Sequence, residues 1–122
     1  MEMLLEFMRN KEQIRTLNLR KNKIGNEGAK LLAHFITHED STLLEVDLNR
    51  NRIEEDGAQE LVDAIHKTIR IEKFHIGYGN LISSYLVNAF DQELLSNQQI
   101  KDNLVKELGT RDFSLRTVLD NK

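Results

Sequence analysis

A shift of 29 residues lays one stretch of this chain over another, so the fold must accommodate a stack of similar units. The segment Ile14-Arg15-Thr16-Leu17-Asn18-Leu19-Arg20-Lys21-Asn22-Lys23-Ile24 falls on Leu43-Leu44-Glu45-Val46-Asp47-Leu48-Asn49-Arg50-Asn51-Arg52-Ile53. Every apolar position of the first copy meets an apolar one in the second, and Asn22 meets Asn51. The correspondence continues with Gly28-Ala29 on Gly57-Ala58, Leu32 on Leu61 and Ile36 on Ile65. A further step of 28 residues reaches Ile71, Phe74, Ile76 and Leu81, with Gly79 at the asparagine position and Tyr85-Leu86 in place of Gly-Ala. The third copy reads as degenerate, as terminal repeats tend to be. An ordinary doubly wound sheet also alternates strands with helices, but it does not need asparagine, isoleucine, glycine and alanine to recur at one spacing.

Each repeated position has a physical reason. Leu17 and Leu19 are two apart, so in a strand both point to one face while Thr16, Asn18 and Arg20 point to the other. Adjacent copies of so short a strand can pair as a parallel sheet. The amide of Asn22 can bond backbone groups in the turn after the strand and in the neighbouring coil. Ile24 returns to the interior. Gly28 permits close packing where a helix begins, and Ala29 keeps that helix near the sheet. Leu32, Phe35 and Ile36 share one helical face. A single unit cannot bury its own apolar face, and stacking buries it against the next.

The pattern L-x-x-L-x-L-x-x-N-x-I followed by G-A-x-x-L, over residues 14 to 90, resembles the ribonuclease-inhibitor-like class of leucine-rich repeat. Leu17, Leu19, Asn22, Ile24, Val46, Leu48, Asn51 and Ile53 occupy its structural positions. The resemblance implies an α/β leucine-rich repeat solenoid. That is a right-handed βα superhelix with a short parallel sheet on the concave face, helices on the convex face and a helical C-terminal cap. The expected layout is one domain over 1–122. It comprises an N-terminal helix or half repeat (1–13), repeat 1 (14–42), repeat 2 (43–70), a degenerate repeat 3 (71–92) and a helical cap or tail (93–122).

At the N-terminus, Leu4 and Met8 fall where Leu32 and Ile36 fall in the first full repeat, so 1–13 is expected to be helical. Toward the C-terminus the pattern predicts one helix from Leu81 to Leu95, with Ser83 or Ser84 as N-cap. It predicts a second from Asn97 to Leu108, carrying Ile100, Leu104, Val105 and Leu108. Gly109 reads as a helix stop. Asp112 or Ser114 can then begin a last short helix with Phe113, Leu115, Val118 and Leu119, which either covers the last repeat or docks on a partner.

Composition narrows the function. A net charge of -3 gives no strong pull toward nucleic acid or membrane, and the absence of cysteine excludes disulfides and thiolate metal sites. No apolar run approaches the roughly 20 residues of a membrane span. Glu2 and Glu6 stand where a signal peptide would be positive or apolar, so the expected setting is intracellular: cytoplasmic, cytoskeletal or nuclear. Proline is absent as well, which suits unbroken helices.

His34 and His38 are spaced to share one helical face, but no third metal ligand is placed by the sequence. Glu54-Glu55-Asp56 lacks the alternating ligands of a calcium loop and is expected to favour the following helix through its dipole. Gly77-Tyr78-Gly79 lacks the lysine of a phosphate loop. Hence no catalytic residue, cofactor or metal is expected.

What remains is the outward strand face, the expected protein-binding surface. Thr16, Glu45 and Lys73 should form one row, and Asn18, Asp47 and His75 the next. Arg20, Asn49 and Gly77 follow, then Lys21, Arg50 and Tyr78 at the strand ends. Idle alternatives are row-wise pairs of Glu45 with Lys73 and of Asp47 with His75. The expected function is a non-catalytic protein-interaction module, a scaffold or accessory subunit of a multi-subunit complex. It would have protein partners, no nucleic acid and no membrane insertion. Two other roles come by resemblance. Tropomodulin-like actin-capping domains also join such repeats to a C-terminal helix, without any contact motif that carries over to this chain. The Ran GTPase-activating protein is similar in repeat class, and for that role Arg20, Asn22 or Arg50 would have to reach nucleotide or switch.

Overall fold

The computed structural model describes residues 14–38 and 41–108. The helix expected over 1–13, the stop at Gly109 and the short helix expected beyond it lie outside the described residues. Among the described residues three strands alternate with three helices: β1 (Thr16–Asn18), α1 (Asn26–Ile36), β2 (Glu45–Asp47), α2 (Glu55–Lys67), β3 (Lys73–His75) and α3 (Ser84–Leu108). The strands form one parallel sheet in the order β1-β2-β3. Leu17, Val46 and Phe74 are opposite one another and buried, so the two-residue period directs them to a common interior.

The helices close that interior from the other side. α1 buries Ala29, Leu32, Ala33, Phe35 and Ile36, and α2 buries Ala58, Leu61, Val62, Ala64 and Ile65. Leu48, Ile53, Ile71 and Ile76 complete the core from the loops. Acidic Glu55 and Asp56 begin α2 and basic His66 and Lys67 end it, each complementing the helix dipole.

A ladder of asparagines joins the coils. Asn51 is buried, and its amide nitrogen donates to the Leu48 carbonyl of its own coil at 2.9 Å and to the Leu19 carbonyl of the preceding one at 3.0 Å. Its amide oxygen accepts from Ile24 N–H at 3.1 Å. Asn80 repeats this arrangement one coil later, donating to Leu48 and Ile76 carbonyls and accepting from Ile53 N–H at 3.0 Å. The third copy therefore keeps its asparagine. The 28-residue step holds through Ile76, then one extra residue in Gly77-Tyr78-Gly79 restores a step of 29. Ile82, rather than the exposed Leu81, is the residue packed against the core, and Leu86 and Val87 stand in place of Gly57 and Ala58. The residue before each ladder asparagine is left-handed: Lys21 at φ 60°, Arg50 at 59° and Gly79 at 78°. Glycine takes that conformation freely, whereas Lys21 and Arg50 hold it at a cost of about 1 kcal/mol or more each.

The starts of α2 and α3 are each finished by a side chain from the coil before. Asn26 accepts from Glu54 N–H at 2.9 Å and Gly57 N–H at 3.1 Å, which meets two of the orphan donors of α2. Glu55 does the same for α3, its carboxylate accepting from Ser83 N–H and from the Ser83 hydroxyl. The acidic turn thus has a role beyond the dipole effect expected of it. Gly57 makes the Asn26 contact possible, because a Cβ there would lie 2.7 Å from the Asn26 amide oxygen and 2.9 Å from its Cα. Gly57→Ala is expected to cost about 1–3 kcal/mol by forcing α2 away from α1. Chemical denaturation would measure this, and a change within 0.5 kcal/mol, about that of an ordinary surface substitution, would show that the two helices have room.

Two helices were expected between Leu81 and Leu108, but α3 is continuous over 25 residues. Ser83 is its N-cap, the hydroxyl accepting from Leu86 N–H at 3.3 Å. The expected helices left a break at Ser96, between Leu95 and Asn97. Instead Asn97 is 1% exposed and donates to the Ile65 and Thr68 carbonyls at the end of α2. That satisfies the α2 C-terminus from a neighbouring helix. Lys101 repeats the device one turn later, donating to the Arg70 carbonyl at 3.3 Å beside Glu72. Burial lowers the Lys101 pKa, with Glu72 opposing the shift. Two turns before these anchors Phe90, buried, stacks on Phe74 with ring centroids 5.2 Å apart.

Candidate protein-binding face

The strand register assembles the first two expected rows. Thr16, Glu45 and Lys73 are Cα partners, as are Asn18, Asp47 and His75. All six are exposed or half-buried. The side chains are more occupied than alternation alone implies. Asn18 accepts from Arg20 N–H at 3.0 Å and Asp47 from Asn49 N–H at 2.9 Å, the same local turn in two successive coils. His75 Nε2 donates to Glu45 at 3.2 Å, a diagonal pair in place of the row-wise partners considered above.

The other two rows need correction. Lys21 N–H donates to the Asn49 carbonyl and Arg50 N–H to the Tyr78 carbonyl, so Tyr78 is the counterpart of Asn49 and Arg20. Gly79, not Tyr78, is the counterpart of Lys21 and Arg50. Gly77 is the extra residue after β3 and stands outside the rows. Asn49 confirms the alignment by accepting from Tyr78 N–H at 3.0 Å. The Arg50 guanidinium lies 5.1 Å from the Tyr78 ring centroid, within cation–π range. The stagger arises because β3 reaches its turn one residue early and then loops outward.

The model for the family described as "Leucine Rich repeat" matches residues 13–33 and 39–62. Over these stretches the chain carries leucine-rich repeats. Those two stretches run through the strand and well into the helix of each of the first two repeats, to Ala33 in α1 and Val62 in α2, and the asparagine ladder shows the same bonding carried into a third coil. No curated protein matches the chain significantly. Eight chains of solved structures do match. One is the tropomodulin C-terminal domain of Caenorhabditis elegans, 15% identical, with a TM-score of 0.49, covering 88% of this chain and 79% of that one. At that level the likeness says nothing of what these repeats bind.

Other chemistry finds little support in the repeats. Among the described residues no three histidine, aspartate or glutamate side chains come together to hold a metal. His34 and His38 are both exposed at the end of α1. No described helix is long and apolar enough to cross a membrane. Sequence reasoning passed over Lys23 and Leu81. Both are exposed and align with Arg52, a position outside the strand alternation from which the face was read.

Proposed function

We propose that the chain is a non-catalytic protein-interaction module, a scaffold or accessory subunit of a larger assembly. In this reading the coils form a short solenoid of the ribonuclease-inhibitor-like class, strands inside and helices outside, with α3 covering the last coil. Residues 14–108 act as one unit. The supporting observation is the in-register sheet of the leucine-rich repeats, whose outward side presents two full rows of polar and charged side chains. A mixed polar face suits a protein partner better than a small apolar ligand.

The test is affinity capture from the source cells, with quantitative mass spectrometry, using three baits. These are the native chain, Asp47→Arg with Lys73→Glu on the strand face, and Glu60→Lys with Lys67→Glu on the exposed side of α2. The expected result is a set of proteins lost with the strand-face bait and kept with the helix-side bait. Identical capture by all three would overturn the assignment of the face.

A further inference from the structure

The strand-to-helix turns form a ridge beside the strand face. Backbone hydrogen bonds align it across the coils: Arg52 N–H donates to the Ile24 carbonyl at 2.8 Å and Leu81 N–H to the Ile53 carbonyl at 2.9 Å. One row is then Arg20, Asn49 and Tyr78, the next Lys21, Arg50 and Gly79, and the last Lys23, Arg52 and Leu81. Coils 1 and 2 contribute five cations, Arg20, Lys21, Lys23, Arg50 and Arg52, all exposed. That is five of the seventeen lysines and arginines in a chain whose net charge is -3. Among the described residues none of the five forms an ion pair, although Lys30 and Lys101 both do. The strand face differs, since several of its polar groups are already bonded to one another or to the backbone.

Two further observations give the ridge a direction. Lys21 and Arg50 occupy the left-handed position that Gly79 fills in coil 3, so these two cations are held where glycine would fit without strain. Coil 3 has no cation at any ridge position. It ends the ridge with Tyr78 at 60% and Leu81 at 72% exposure, the former under the Arg50 guanidinium. Positive charge over two coils therefore gives way to an apolar pair on the third. Coils are about 4.8 Å apart at the sheet, so the ridge spans about 10 Å, the reach of three or four extended residues.

We propose that this ridge binds an acidic linear segment of a partner protein, in which two or three carboxylates lie next to a bulky apolar side chain. The proposal rests on the reading of the chain as a protein-binding module and assigns the partner's chemistry. Unpaired arginines favour carboxylates through two-point hydrogen bonding, and Tyr78 with Leu81 receives the apolar residue.

Fluorescence anisotropy on the full chain tests it with labelled Ser-Glu-Glu-Glu-Leu-Phe-Ser and the same sequence reversed, since the peptide's direction on the ridge is open. A glutamine version of each serves as control. One order of the acidic peptide is expected to bind at sub-millimolar concentration and to weaken as salt rises. Arg50→Glu with Arg52→Glu should weaken it at least tenfold, and Tyr78→Ser at least threefold. Glu60→Lys with Lys67→Glu, on the exposed side of α2, should change it less than twofold. All substitutions are at exposed or half-buried positions, and unchanged melting would confirm that each variant folds.

Failure of both peptide orders to bind, equal binding of the glutamine version, or indifference to the Arg50 and Arg52 reversal would overturn the proposal. So would competition by heparin together with indifference to Tyr78→Ser, which marks a general polyanion surface. If the peptides fail while the strand-face bait still loses its partners, the protein-binding reading stands and the ridge assignment falls.

Discussion

Asn51→Ala is expected to destabilise the protein by about 3 kcal/mol, because it strands buried backbone groups that each cost about 1–3 kcal/mol unpaired. The Asn51 side chain serves the Leu19 and Leu48 carbonyls and the Ile24 N–H, in two coils. The Leu19 and Leu48 carbonyls also receive a second asparagine amide, from Asn22 and Asn80, which limits the loss on that side. Ile24 N–H has no such substitute among the described residues. Asn22→Ala is the internal comparison. Asn22 is exposed and donates to the Leu19 and Arg20 carbonyls of its own turn, so its loss should cost about 1 kcal/mol. Urea denaturation of both variants settles the point. Equal effects would mean that the bonds between coils contribute no more than those inside a turn.

Phe90→Ala is expected to cost about 3–5 kcal/mol, the range for removing a buried phenylalanine side chain. Phe90 is 1% exposed, and it links α3 to β3 through its stack on Phe74. The cavity would open where the last strand meets the last helix, away from β1. Hydrogen exchange should therefore quicken first in β3 and α3, with β1 and α1 changing least. A loss below about 1.5 kcal/mol, typical of a volume-conserving swap, would show that Phe74 collapses into the vacated space. Both expected losses are large for a chain of this size, since small domains hold only about 5–15 kcal/mol in total.

The first two coils were legible because their chemistry repeats at one interval. The inward Leu17, Val46 and Leu48 and the α1 face of Leu32, Phe35 and Ile36 follow from periodicity alone. Coil 3 was misread from a single cause. The residue added between Ile76 and Asn80 shifts every later position, so a fixed step landed on Gly79, Leu81 and Tyr85 instead of Asn80, Ile82 and Leu86. Tyr78 was consequently assigned to the wrong row of the face. The break expected before Asn97 failed for a different reason. A polar residue inside a helix reads as an interruption when its partners, the Ile65 and Thr68 carbonyls, are some thirty positions earlier. Asn26 and Glu55 were opaque in the same way, because the groups they cap belong to the next coil. Arg20, Lys21 and Arg50 were already among the expected face residues, whereas Lys23 escaped for want of any period-two signal, its position being set by a turn.

The helix-start contacts also bear on how such a chain can change length. Asn26 and Glu55 are 29 positions apart, and the groups each one serves begin 28 positions further on. A copied segment of 29 residues would thus bring along both halves of its own seam, offering a side-chain oxygen forward and backbone donors to the unit behind. Gain or loss of a whole coil leaves the joints intact, whereas an offset of one residue inside a helix start would tear them. The tolerated extra residue lies in the glycine-flanked loop after β3, upstream of the next joint, where a change in count can be absorbed.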